Sequence, residues 1–167
     1  MRVLVAYGSE MGGTEGIAEI LADALAAEGL TADARPARQV TDVVRYDAGV
    51  VGGAVYAGRW HGDARRFVLR HLDVLQRVPV WLFSSGPLDG SASAGPVPAV
   101  PEVADLIDRV GARGHVTFGG CLPADLEAYR GNALAQEHGG DWRDPPRIRA
   151  WASEIATGLR DARSVPG

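Results

Sequence analysis

Short apolar runs that do not alternate cleanly with polar residues punctuate this sequence: RVLVAY (Arg2–Tyr7), AGVVGGAV (Ala48–Val55) and VPVWLFSS (Val78–Ser85). A strand with one wet face shows a period of two. A strand that is apolar throughout is covered on both faces, as in a parallel sheet flanked by helices. The segments between the runs supply those helices. Over Thr14–Glu28, Ile17, Ile20, Leu21 and Leu25 share one helical face, and Gly29 is the expected stop. Gly62–Leu75 predicts a second helix, with Ala64, Phe67, Val68, Leu72 and Leu75 on its inner face. Pro101 opens a third, ended by Gly111. A last helix starts at Asp144–Pro145 and carries Ile148, Trp151, Ala152, Ile155 and Leu159 on one face. HVTFGG (His115–Gly120) reads as the final strand, Thr31–Ala37 as a weaker one and Val40–Tyr46 as a short helix.

The order is therefore βαβαβαβαβα. It predicts an α/β fold: a doubly wound three-layer sandwich around a five-stranded parallel sheet of order 2-1-3-4-5. A length of 167 residues fits a single domain over 1–167. In such a sheet a ligand binds beyond the carboxyl ends of the strands, where the strand order reverses between the first and third. The connections 86–100 and 121–145 are long for a compact domain, and long loops are often functional.

Composition narrows the partners. A net charge of -4 gives no reason to expect nucleic acid or a membrane surface. Cys121 is the only cysteine, so no intrachain disulfide forms, which fits a cytoplasmic location. No leader-like segment or bilayer-length apolar stretch is visible, and no His/Cys/Asp spacing suggests a metal.

The turn YGSEMGGTEG joins the first strand to the first helix. Amides exposed at a helix N-terminus, with the helix dipole, favour an anion. Glycines let the backbone curl around it, and Ser9 and Thr14 add hydroxyls. No GK[ST] follows and the turn is not GxGxxG, which disfavours a nucleoside triphosphate or NAD. The turn resembles the phosphate loop of flavodoxins: Ser9, Gly12, Thr14 and Glu15 fit that pattern, whereas Met11 stands where a hydroxyl is usual. The resemblance implies FMN as cofactor, its phosphate held by Ser9, Glu10, Met11, Gly12, Gly13 and Thr14, mainly through amides and without a cation. Glu10 is tolerable there. Unit charges ~4 Å apart repel by about 1 kcal/mol in water, and each amide bond to a charged acceptor returns roughly 1.5–3 kcal/mol.

The flavin ring would need a slot between two further loops. Val50–His71 resembles the matching stretch of the menaquinone-linked protoporphyrinogen oxidase family, which has a flavodoxin fold, at Gly52, Gly58, His61, Phe67, Val68 and His71. AVYAGRWH and PVWLFSSGPL resemble, more closely still, actinobacterial flavodoxin-domain proteins. The resemblance implies that Val55, Tyr56, Ala57, Gly58, Arg59 and Trp60 flank one side of the ring. Ser85, Gly86, Pro87 and Leu88 would flank the other. Gly58 is the candidate for a peptide that responds to the flavin's redox state. Tyr56 or Trp60 would stack on the ring, or Trp60 would anchor the loop; His61 is expected to order the helix start and Cys121 to fill space. Arg59, Arg65, Arg66 and Arg70 either form a solvated helix face paired with Asp63 and Asp73 or line a basic rim suited to an anionic substrate or acidic partner.

The segment Cys121–Pro146 lacks the basic insertion of the oxidase family, which argues against membrane association and haem-precursor oxidation. The leading expectation is an FMN-binding electron-transfer protein that exchanges electrons with a redox partner protein or a small donor or acceptor. The alternatives are an FMN-dependent oxidoreductase of the protoporphyrinogen oxidase or quinone reductase type, and a flavodoxin-fold interaction module without flavin.

Overall fold

A computed structural model describes residues 1–9, 12–86, 91–122 and 140–164. The strands are β1 (Arg2–Gly8), β2 (Thr31–Pro36), β3 (Ala48–Tyr56), β4 (Arg59–Trp60), β5 (Val80–Ser85), β6 (Gly114–Phe118), β7 (Cys121–Leu122) and β8 (Gly140–Asp141). The helices are α1 (Gly13–Ala27), α2 (Gly62–Arg70), α3 (Leu72–Leu75), α4 (Ser91–Ala94), α5 (Pro101–Val110) and α6 (Pro145–Ser164).

The main strands pair in parallel in the order β2-β1-β3-β5-β6. This is the expected doubly wound order, because β4 is only a short antiparallel addition to β3. Alternate residues of each strand serve opposite faces. Val3, Val5, Val50, Trp81 and Phe83 pack with Ile17, Leu21 and Leu25 of α1 and with Ile148, Trp151, Ile155 and Leu159 of α6. Leu4, Ala6, Val51, Val80 and Leu82 pack on the other face with Phe67 and Val68 of α2, Leu75 of α3, and Val103, Leu106 and Val110 of α5. Each such burial contributes about 1.5–3 kcal/mol. Phe83, Phe118 and Trp151 meet edge to face, with centroids 5.7 to 6.2 Å apart.

Two expectations change. Val40–Tyr46 is not a helix; a single 3-10 turn occupies Ala37–Gln39 instead. Val40, Val43 and Tyr46 are buried at every third position, which mimics a helical face. A side chain competes for the backbone there: Asp42 accepts from the Val44 amide at 3.0 Å, while the Asp47 side chain that follows ties the segment to β1 by accepting from the Arg2 amide at 2.7 Å. The helix expected over 62–75 breaks at His71 (φ -107°, ψ 19°), dividing α2 from α3. Among the described residues, no helix is long and apolar enough to cross a membrane.

Candidate functional site

The site is assembled at the carboxyl ends of β1, β3 and β5. β1 ends at Gly8, where an added Cβ would lie 2.8 Å from His61 Nδ1 and 2.9 Å from the Ala64 amide. The base of the glycine-rich turn is therefore pressed against the start of α2. Gly12 caps α1 in the left-handed region (φ 79°), where a Cβ is disfavoured, and as a glycine it offers no side-chain cap to the helix. The Gly16 amide is spent on the Gly12 carbonyl at 3.0 Å. Thr14 follows in the first turn. It is 1% exposed, and among the described residues its hydroxyl oxygen has no hydrogen-bond partner. Buried hydroxyls are ordinarily bonded, so an orphan beside uncapped helix amides fits a phosphate well. Tyr7 donates to Glu15 at 3.2 Å, and burial, reinforced by that carboxylate, pushes its phenol up to about 12. Ser9, Gly12, Gly13 and Thr14 thus gather at one turn, while Glu10 and Met11 lie outside the described residues.

The other flank of α1's N-terminus is closed by the β7–β8 pair. An added Cβ on Gly13 would meet Cys121 at 3.2 Å. Burial holds the Cys121 thiol above its ordinary range. Arg143 lays its Nη1 against Gly16 and gives Nε and Nη2 to Asp141 at 2.8 and 2.6 Å. These bonds hold the Asp141 carboxyl below the usual range.

β3 turns back into β4 through Ala57 and Gly58, with Val55 opposite Trp60 and Tyr56 opposite Arg59. Both turn residues have positive φ, 50° and 75°, the conformation that a two-residue hairpin of native twist requires. Gly58 suits it; Ala57 is strained. Trp60 is 3% exposed, and its Nε1 donates to the Phe83 carbonyl at 3.3 Å. This is the geometry of a loop anchor. Tyr56, 42% exposed, is left as the aromatic that can stack. His61 caps α2 by accepting from the Asp63 amide at 3.1 Å.

Ser85 is buried at the end of β5, and the Gly86 amide donates to the Phe118 carbonyl at 3.2 Å. That amide belongs to the sheet and is not available to a ligand. Pro87 and Leu88 lie outside the described residues. An added Cβ on Gly86 would come within 3.4 Å of the Val55 Cβ, so the two loops converge. Behind them lies a cavity of 230 Å³ lined by Val55, Ser84, Gly86, Val97, Val100 and Thr117. Ser84 hydroxyl and His115 Nε2 are 2.9 Å apart, and desolvation lowers His115 to about 4. The sequence reading did not single out this neutral pair, although a histidine within a buried strand was a usable signal.

The arginines divide. Arg66 bonds Asp63 at 2.6 Å and Arg65 meets Glu102 at 3.9 Å. Arg59 and Arg66, with Arg38 from the 3-10 turn, line an open cavity beside the hairpin. Among the described residues no group of three or more metal-binding side chains occurs.

The flavodoxin-domain family model matches residues 4–107. The chain belongs to this family. FMN is the cofactor of the flavodoxin family, whose members are electron-transfer proteins. The chain is similar in fold to a cysteine-to-serine mutant of the flavodoxin from Pseudomonas aeruginosa, at 19% identity and TM-score 0.63, covering 96% of this chain and 99% of that one. A Streptococcus pneumoniae flavodoxin matches at 18% identity and TM-score 0.62, over 95% of this chain and 99% of that one. Rubredoxin oxygen:oxidoreductase from Desulfovibrio gigas matches at 15% identity and TM-score 0.65, over 98% of this chain but only 37% of that one. No curated protein matches this flavodoxin-domain chain.

Proposed function

We propose that this chain is a single flavodoxin-like domain that binds FMN and passes electrons to a redox partner. The observation that carries the reading is the Thr14 hydroxyl, buried without a partner among the described residues, in the first turn of a helix whose N-cap is a glycine. Ser9, Gly12, Gly13 and Thr14 would hold the phosphate through hydroxyls and amides, with Glu10 and Met11 completing the turn. The hairpin Val55–Trp60 would form one wall of the ring slot, with Tyr56 against the ring. Ser85 and Gly86, continued by Pro87 and Leu88, would form the other wall.

When bound, FMN supplies one- and two-electron redox chemistry. The chain's part is position and electrostatics. Trp60 ties the hairpin to the Phe83 carbonyl, which keeps Tyr56 in place. Gly58, in the left-handed region with no atom of the described residues within 4 Å of an added Cβ, leaves its peptide room to turn. Anaerobic reductive titration tests the reading: the flavin-loaded protein should accept electrons reversibly and hand them to a one-electron acceptor such as a cytochrome. A flavin that stays in solution during the titration would overturn it.

A second reading, an FMN-dependent oxidoreductase related to protoporphyrinogen oxidase or quinone reductases, is favoured by one observation. The basic cavity adjoins the hairpin, where a small anionic substrate would sit close to the ring. Turnover of a small substrate by the loaded protein without a protein partner would separate the two readings.

A further inference from the structure

Arg38, Arg59 and Arg66 come from three separate elements: the 3-10 turn after β2, the strand β4 and the helix α2. They converge on one open cavity of 670 Å³, together with Ser9, Tyr56 and Asp63. Its volume lies within the range of small-molecule sites, about 300–1,000 Å³. Asp63 is the only carboxylate among the described lining residues, and it is already bonded to Arg66 at 2.6 Å. Arg38 and Arg59 form no ion pair among the described residues. With Asp63 taken up by Arg66, Arg38 and Arg59 leave a net positive field in one concavity, which attracts an anion. Their planar forks match the oxygens of a phosphate or carboxylate.

We propose that this cavity, which borders the proposed cofactor cradle at Ser9, binds the phosphate or carboxylate of a second small molecule through its arginines. Arg38 is the discriminating residue, because it belongs to neither proposed wall of the flavin slot. The site deepens the second reading of function, and rests on it to that extent, since a ligand held there touches Tyr56 and Arg59 of the hairpin. The binding claim itself does not depend on flavin.

The test is calorimetric titration of FMN-loaded protein with inorganic phosphate, and separately with succinate, at ionic strength held constant with chloride. Saturable binding of at least one anion is expected, with FMN remaining bound by its visible spectrum. Phosphate alone would assign a phosphoryl ligand, and succinate alone a carboxylate. Arg38→Gln and Arg66→Gln should each weaken that binding about tenfold or more, and Arg38→Lys should restore part of it. Thermal midpoints of the variants establish that they fold, and Arg66→Gln carries the test if Arg38→Gln does not. Absence of saturable binding, displacement of FMN by phosphate, or equal affinity in the arginine variants would overturn the proposal. If the protein takes up no FMN, the same titration on flavin-free protein decides it. Phosphate in the helix-end cradle would then be insensitive to Arg38→Gln, and phosphate in the arginine cavity would not.

Discussion

Replacing Thr14 with valine should move stability and cofactor affinity in opposite directions. The side chains are nearly the same size, so the substitution chiefly deletes one hydroxyl. In the flavin-free protein that hydroxyl is buried and unpartnered. An unsatisfied buried polar group costs about 1–3 kcal/mol, so Thr14→Val should stabilise the flavin-free protein by up to that amount. With FMN bound, the same hydroxyl would donate to a charged phosphate, an interaction worth about 1.5–3 kcal/mol. Its loss corresponds to roughly 10- to 150-fold weaker FMN binding. Riboflavin, which lacks the phosphate, should bind both proteins equally. Urea denaturation of the flavin-free protein and quenching of flavin fluorescence measure the two effects. A less stable Thr14→Val protein with unchanged FMN affinity would refute the reasoning, because the hydroxyl would then serve the fold and not the ligand.

Other predictions concern the scaffold. A Cβ on Gly52 would fall within the Phe83 ring, so Gly52→Ala should cost about 1–3 kcal/mol, read as a lower denaturation midpoint. Ala57→Gly exchanges a left-handed strain of about 1–2 kcal/mol for an entropy cost of about 0.4–1 kcal/mol in the unfolded chain. It should leave stability unchanged or raise it slightly by the same assay. His115 titrates near 4 when folded, against 6.5 when unperturbed. The unfolded chain therefore takes up its proton first, so stability is full above pH 6.5 and falls as pH drops towards about 4. His115→Gln should shrink that slope in pH-dependent denaturation without abolishing it, because burial also lowers His71.

What the sequence reveals of this fold follows from burial. The three runs of β1, β3 and β5, buried on both faces, read as strands because nothing polar interrupts them before their carboxyl ends, and α1, α5 and α6 read as helices from their repeats and from Gly29 and Gly111. The hairpin strand β4 is two residues long, too short for any period to register. Its turn is Ala57-Gly58, and alanine at a left-handed position gives no turn signal. The cradle was legible because helix-end chemistry is local: glycine, hydroxyl and first-turn residues are contiguous. The arginine cavity was only half legible. Arg59 and Arg66 are neighbours in sequence, but Arg38 reaches them across the β2–β3 connection, a meeting that only the strand order dictates. Arg143 escaped notice for the same reason: it meets Gly16 through tertiary packing.

In the proposed function the turn Ser9–Thr14 holds the phosphate of FMN. Titrating the flavin-free protein in parallel with FMN and riboflavin, followed by flavin fluorescence, tests it most directly. FMN should be taken up one to one with its fluorescence quenched, and riboflavin should bind more weakly by at least the roughly tenfold that one hydrogen bond to a charged group contributes. Uptake of neither flavin, or equal affinity for both, would contradict the claim.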